Sequence, residues 1–253
     1  MLTNSTKAKL KAGDCVYGCF FRTPDPTLAE FMGYQGWDFL ILDAEHGSLE
    51  PNRAEDMVRA LELRGVTPLV RVTTNQTHVL LRFLDAGAQG VHVPWVNTPA
   101  DAERALQAIK YQPRGMRGLA GVRPSTFGQE MSLPDYVASA NEETLTILQL
   151  ESGQAIDNLD AILAVTDIDV LFLGRTDLSH SLGHAGDTSH PAVEAVVERA
   201  VEKITASEVA LGVVVPTVEE ARAWRQRGAR YIATGFEGIV GSASKAWLAG
   251  ASL

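Results

Sequence analysis

The 253-residue chain contains only two cysteines, Cys15 and Cys19. On one strand, residues four apart share a face about 13 Å apart, at about 3.3 Å per residue, which is too far for a disulfide. A cross-linked extracellular scaffold is therefore excluded. No apolar run approaches the roughly 20 residues that span a bilayer, and the opening Met1–Leu10 stretch has no apolar leader core. A reducing cytoplasm is the expected setting. Basic residues are also scarce, 22 Lys and Arg against 31 Asp and Glu, for a formal charge of −9, and they form no run. That balance argues against a nucleic-acid or membrane surface and leaves small solutes as partners. The sequence further lacks a G-x-S-x-G elbow, a G-K-[ST] phosphate loop and a cysteine pair at zinc spacing.

What is present is a regular alternation. Short β-rich apolar runs predict strands at Cys15–Phe21, Asp38–Leu42, Pro68–Arg71, Gly90–Val93, Leu145–Leu150, Val170–Leu173, Leu211–Val215 and Tyr231–Thr234. Amphipathic stretches between them predict helices near Pro26–Tyr34, Leu49–Leu63, Thr77–Ala86, Pro99–Ile109, Gln154–Val165, Pro191–Ser207, Val218–Arg227 and Gly238–Leu248. Near-continuous apolar strands such as Phe39–Leu42 suit a parallel sheet covered on both faces. Eight such repeats in a chain of this length predict an α/β fold, a single-domain (β/α)8 TIM barrel over residues 1–253. An open doubly wound sheet would need a glycine-rich turn after its first strand, where Phe20-Phe-Arg-Thr-Pro24 stands instead. The long irregular stretch from Tyr111 to about Pro134, with Arg114, Arg117 and Arg123, is expected to be functional.

In a barrel the chemistry sits where strands end. Asp43-Ala-Glu-His46 follows the second predicted strand, Arg71 closes the third, Gln149-Leu-Glu151 closes the fifth, and Gly174-Arg-Thr-Asp177 follows the sixth. Glu151 and Asp177 are hard oxygen donors suited to Mg²⁺ or Mn²⁺. His46 is the histidine placed to move protons, with Asp43 or Asp85 to orient its ring. Arg71 can hold a carboxylate or a developing enolate oxygen, or else pair with a rim acid. His92, inside a strand, reads as a packed barrel residue, and His78, His184 and His190 as loop or helix-surface residues. Lys110, Lys203 and Lys245 fall in or at the ends of predicted helices, so an imine route is disfavoured.

Taken together, Gly36–His46, Pro68–Arg71, Leu84–Gln89, Gly115–Gly118, Gln149–Ser152 and Asp169–Ser179 resemble the HpcH/HpaI family of metal-dependent class II pyruvate aldolases. The resemblance covers nearly the whole chain. It implies reversible cleavage of a 4-hydroxy-2-oxo acid into pyruvate and an aldehyde, with His46 as general base, Asp85 raising its basicity, Asp43 paired with the histidine, and Arg71 steadying the enolate. Glu151 and Asp177 would hold Mg²⁺, Mn²⁺ or Co²⁺, and Gln149, Thr176, Asp177 and Arg71 would contact the 2-oxo acid. It also implies a homo-oligomer, a hexamer as a trimer of dimers, with the C-terminal helix (about 237–248) used in packing and active sites completed near subunit boundaries. Relatives of the same kind that condense oxaloacetate in a citrate-synthase-like reaction are the alternative, and a non-catalytic 2-oxo acid sensor is the rival from another class. One departure stands out. Arg175 occupies a position where the family usually has proline, which frees φ and restores an N–H. Facing the pocket, it would favour a substrate with a second carboxylate; facing solvent, it would do nothing.

Overall fold

The computed structural model describes residues 2–252. Its strands are β1 (Val16–Phe21), β2 (Phe39–Asp43), β3 (Thr67–Arg71), β4 (Gly90–Val93), β5 (Leu145–Leu150), β6 (Val170–Leu173), β7 (Ala210–Val214) and β8 (Tyr231–Gly235). All pair in parallel in chain order, and β8 returns to β1 to close the barrel. The helices are α1 (Ser5–Lys11), α2 (Pro26–Gly33), α3 (Pro51–Glu62), α4 (Thr77–Asp85), α5 (Pro99–Ile109), α6 (Leu133–Glu143), α7 (Gly153–Asp157), α8 (Leu159–Leu163), α9 (Arg175–Ser181), α10 (Pro191–Thr205), α11 (Val218–Gln226) and α12 (Phe236–Ala251). Among the described residues no helix is long and apolar enough to cross a membrane. Cys15 and Cys19 are both free.

Strand parity divides the apolar residues into two cores. Leu40 and Leu42 of β2 face outward into the layer between sheet and helices, whereas Phe39 and Ile41 pack inside the barrel with Leu69, Ile147, Phe172 and Tyr231. Both faces being buried is why these strands read as near-continuous apolar runs. Glycine makes the interior fit at one crowded place: a Cβ on Gly18 would lie 2.1 Å from the Phe39 ring. That ring stacks on Tyr231 at 4.1 Å between centroids. The same inward parity, carried one step past the apolar layers, places Asp43, Arg71 and Gln149 at the carboxyl rim.

Four helical features depart from the expected pattern. Helix α1 is too short and polar to show a period; it closes the amino end of the barrel. There Asn4 Nδ2 donates to the Gln89 and Glu143 carbonyls, and Lys7 Nζ to Asp169 at 3.0 Å and the Thr144 carbonyl. The predicted Gln154–Val165 helix is broken at Asn158, whose side chain donates to the Asn97 carbonyl, giving α7 and α8. Helices α6 and α9 lie where no helix is predicted. The arginine-bearing stretch after α5 runs along the amino end, with Arg123 paired to Glu62 at the end of α3 and Arg117 to Asp85 at the end of α4. It is therefore remote from the carboxyl rim of its own chain.

Candidate active site

A cavity of about 420 Å³ opens at the carboxyl rim, lined among others by Phe20, Asp43, His46, Arg71, Gln149, Glu151, Thr176 and Asp177. Its most rigid part is a bidentate pair. Asp43 and Arg71 end adjacent strands in register, and the guanidinium donates through Nε and NH2 to the two Asp43 oxygens at 2.9 and 2.6 Å. Asp43 is fully buried. Burial pushes its carboxyl up, but the hydrogen bonds and charge of Arg71, with the N–H groups of His46 and Glu45, outweigh that and hold it below the usual carboxylate range. Arg71 also stacks over Phe20 at 4.8 Å and reaches Glu45 at 3.3 Å. A guanidinium held on three sides presents its remaining N–H edge in a fixed direction.

Glu151, 2 % exposed, accepts from the Trp95 backbone N–H at 2.6 Å and from Gln149 Nε2 at 3.0 Å. Trp95 holds a left-handed backbone, φ 54°, unusual for a bulky residue. Gly174 makes room for the carboxylate, since a Cβ there would stand 2.8 Å from Glu151 Oε2. Burial first, relieved in part by the Trp95 N–H, and then the charges of Glu45 and Asp177 push the Glu151 carboxyl up to about 7. Glu45 is pushed up as well, by burial and by the charges of Asp43 and Asp177 against the relief from Arg71. Negative charge is thus concentrated on this side of the cavity.

The histidine is arranged differently from its expected partners. His46 is exposed at the rim, and it is its backbone N–H that donates to Asp43, at 3.3 Å. Asp43 spends its carboxylate on Arg71 rather than on the imidazole. Asp85 ends α4 at the opposite face of the barrel, where it pairs with Arg117 at 2.8 Å; within one chain it does not meet His46. Thr176 and Asp177 open α9 beside the cavity. Arg175 lines the cavity wall, half-buried, with its guanidinium 3.3 Å from Glu220 and over Trp224 at 5.1 Å, so its charge is steadied at the edge of the cavity rather than turned to open solvent.

Two further residues belong to the site without being singled out by the sequence: Glu45, between Asp43 and His46, and Arg22, which continues the inward parity of β1 past Phe20 and pairs with Glu237 at 3.1 Å. Nothing in the sequence signals that the Trp95 backbone would cap Glu151. Among the described residues no lysine lines the cavity. Lys7 and Lys110 are buried at the other end, where Lys110 donates to the Asn141 and Thr144 carbonyls.

Polar side chains converging at the carboxyl rim of a closed parallel barrel define a barrel enzyme, built as that fold builds its catalytic centres. The chain belongs to the HpcH/HpaI aldolase/citrate lyase family, whose model matches residues 16–243, and it is accordingly an enzyme of the lyase class. It is 34% identical over 244 residues to the 5-keto-4-deoxy-D-glucarate aldolase of Citrobacter koseri, covering 96% of this chain and 94% of that protein. An HpcH/HpaI aldolase/citrate lyase family protein from Burkholderia cenocepacia superposes with a TM-score of 0.94 at 32% identity, covering 99% of this chain and all of the other. The citrate synthase SbnG superposes with a TM-score of 0.87 at 28% identity, over 97% and 96% of the two chains.

Proposed function

We propose that this protein is a class II aldolase that reversibly cleaves a 4-hydroxy-2-oxo acid into pyruvate and an aldehyde. The observation that carries the reading is the buried Asp43–Arg71 pair facing the same cavity as the Glu151 and Asp177 carboxylates. One side of the cavity is built for an oxyanion and the other for a cation. Glu151 and Asp177 fit a divalent metal by their hard oxygen donors and by the crowding that raises the Glu151 carboxyl. Among the described residues no group of three or more His, Cys, Asp or Glu is arranged as a metal cage, and two carboxylates are what Mg²⁺-type binding asks of a protein. When bound, such an ion supplies the positive charge that lowers the cost of an enolate.

The protein's own groups then divide the work. Arg71, oriented by Asp43, holds the oxygen on which negative charge develops during C3–C4 cleavage. His46 accepts the proton of the C4 hydroxyl and, in the synthetic direction, removes one from the pyruvate methyl. Gln149 and the Thr176 N–H hold the 2-oxo acid, and Phe20 and Phe172 form an apolar floor. Asp85 raises the basicity of a histidine only from another copy, whose amino end would lie against this cavity. Helix α12 supports such an assembly. None of its residues is buried, Trp247 and Leu248 are exposed, and an apolar groove lined by Trp37, Val215, Val218 and Ile232 lies open nearby. A homo-oligomer, a hexamer built from dimers, is the proposed form, and molar mass in solution checks it.

The function is tested by incubating the metal-supplied protein with 4-hydroxy-2-oxo acids and measuring pyruvate. Release supports the aldolase. Condensation of oxaloacetate with acetyl-CoA instead would support the reading that SbnG suggests. Pyruvate binding without exchange of its methyl protons in deuterated water would mean a sensor. A glucarate derivative, named as the substrate of the Citrobacter relative, carries a carboxylate at each end, and Arg175 and Arg22 at the cavity wall suit an aldehyde with such a tail. Arg175→Pro is expected to lower kcat/KM for carboxylate-bearing aldehydes roughly tenfold relative to neutral ones, about one good ionic contact, while pyruvate proton exchange stays near the wild-type rate. Equal losses in both assays would remove Arg175 from acceptor selection.

A further inference from the structure

Directly beneath the cavity, one polar side chain stands in an aromatic cage. His92 on β4 is fully buried and pairs in register with Arg71. Its ring meets Phe20, Phe172 and Tyr231 at centroid distances of 5.7, 5.2 and 5.5 Å, which fixes its plane. Burial, then the charge of Arg71, pushes the imidazole down to about 3, against smaller raising effects of neighbouring Gln149 and of Asp43. The ring is neutral and so has one donor and one acceptor nitrogen.

The hydrogen bonds decide which nitrogen is which. His92 Nε2 lies 2.7 Å from the Tyr231 hydroxyl. Tyr231 is fully buried, and burial raises its ionisation well above the ordinary phenol range, so it keeps a proton that must be donated somewhere. The imidazole nitrogen is the acceptor in contact, which leaves the ring proton on Nδ1. Among the described residues that Nδ1 has no hydrogen-bond partner, and neither does Gln149 Oε1, a buried carbonyl on the neighbouring side chain. The other end of the Gln149 amide donates to Glu151 Oε2.

We propose that His92 is a positioning residue: its Nδ1–H serves the Gln149 carbonyl and completes a buried chain from Tyr231 through His92 and Gln149 to Glu151. Two orphaned buried atoms, one a donor and one an acceptor, then satisfy each other. The chain also has a direction. With its carbonyl held toward His92, Gln149 must present its NH2 to Glu151; the flipped amide would set a carbonyl oxygen against a carboxylate. His92 thus orients, from inside the barrel, both the residue assigned to the 2-oxo acid and a carboxylate assigned to the metal, and this consequence rests on the aldolase reading above.

Nitrogen-15 spectra of histidine-labelled protein test the tautomer without any turnover, with the His92 signals identified by their loss in His92→Leu. Protonated Nδ1 with bare Nε2 across neutral pH is expected; a proton on Nε2 would overturn the proposal. In steady-state assays His92→Leu, which keeps the core filled but leaves the buried Tyr231 hydroxyl and Gln149 carbonyl without their partner, is expected to lower the thermal midpoint while the protein stays folded, and to raise KM for the 2-oxo acid about tenfold with a smaller change in kcat. Tyr231→Phe should mix the tautomers and shift KM in the same direction by less. An unchanged KM in a folded His92→Leu would overturn the positioning role. If the wild-type protein shows no aldolase turnover, the functional reading fails, while the spectra still decide the hydrogen-bond chain.

Discussion

Stripping divalent metal with a chelator is expected to cut pyruvate release by about a thousandfold or more, the several kcal/mol that a Lewis acid contributes, with Mg²⁺, Mn²⁺ or Co²⁺ restoring it. Glu151→Gln should make the loss permanent. The substitution keeps an acceptor for the Trp95 N–H but removes the charge and sets an amide NH2 against that of Gln149. The same variant carries an opposite signature in stability. A buried carboxyl raised from 4.5 to about 7 binds protons better in the folded state than in the unfolded. The metal-free wild type should therefore lose stability as pH rises from about 4.5 through about 7, by on the order of 3 kcal/mol. Glu151→Gln should lack that pH-dependent loss, although its amide NH2 facing that of Gln149 costs it stability at every pH, and added metal should stabilise the wild type alone. Thermal melts with and without Mn²⁺ at pH 5 and pH 8, beside the turnover assay, check both parts. Undiminished turnover in chelator would end the metal assignment.

The barrel was legible because a closed parallel sheet needs apolar residues on both strand faces, and the runs at β4, β5 and β6 end where the apolar character ends. The other strand bounds differ by one residue at one or both ends, at β2 because the polar rim residue Asp43 still pairs in the sheet. Helices that pack along their length were legible for the same reason. Helix α1 was not, since seven residues held by Asn4 and Lys7 contacts to distant segments have no period to read. The site was legible as a set of strand ends, not as a set of partnerships. Arg71 and Asp43 are each visible in the sequence as strand-end residues, but their bidentate bond depends on β2 and β3 being in register. Asp85 lies in the sequence after the Arg71 strand end, which suggests a neighbour of His46, yet it is the last residue of α4, and a helix that returns antiparallel to its strand delivers its last residue to the opposite face. The role of His92 was hidden for a different reason. Packed residue describes its burial correctly, and only the positions of Tyr231 and Gln149 reveal what its two nitrogens face.

His46→Ala should lower turnover about 10²–10⁴-fold, the range of a lost general base, in both aldol cleavage and pyruvate proton exchange. The imidazole is exposed at the rim, so its removal should change stability by no more than about 0.5 kcal/mol, and the loss would be chemical rather than structural. Metal affinity separates the possible roles. Mn²⁺ titration should be near normal in His46→Ala, because Glu151 and Asp177 remain, whereas a matching loss of affinity would make His46 a ligand instead of a base. Retained turnover would move the proton to another group. Glu45 is then the candidate the geometry offers, since it stands 3.3 Å from Arg71 with a carboxyl already raised by burial and by the acids around it.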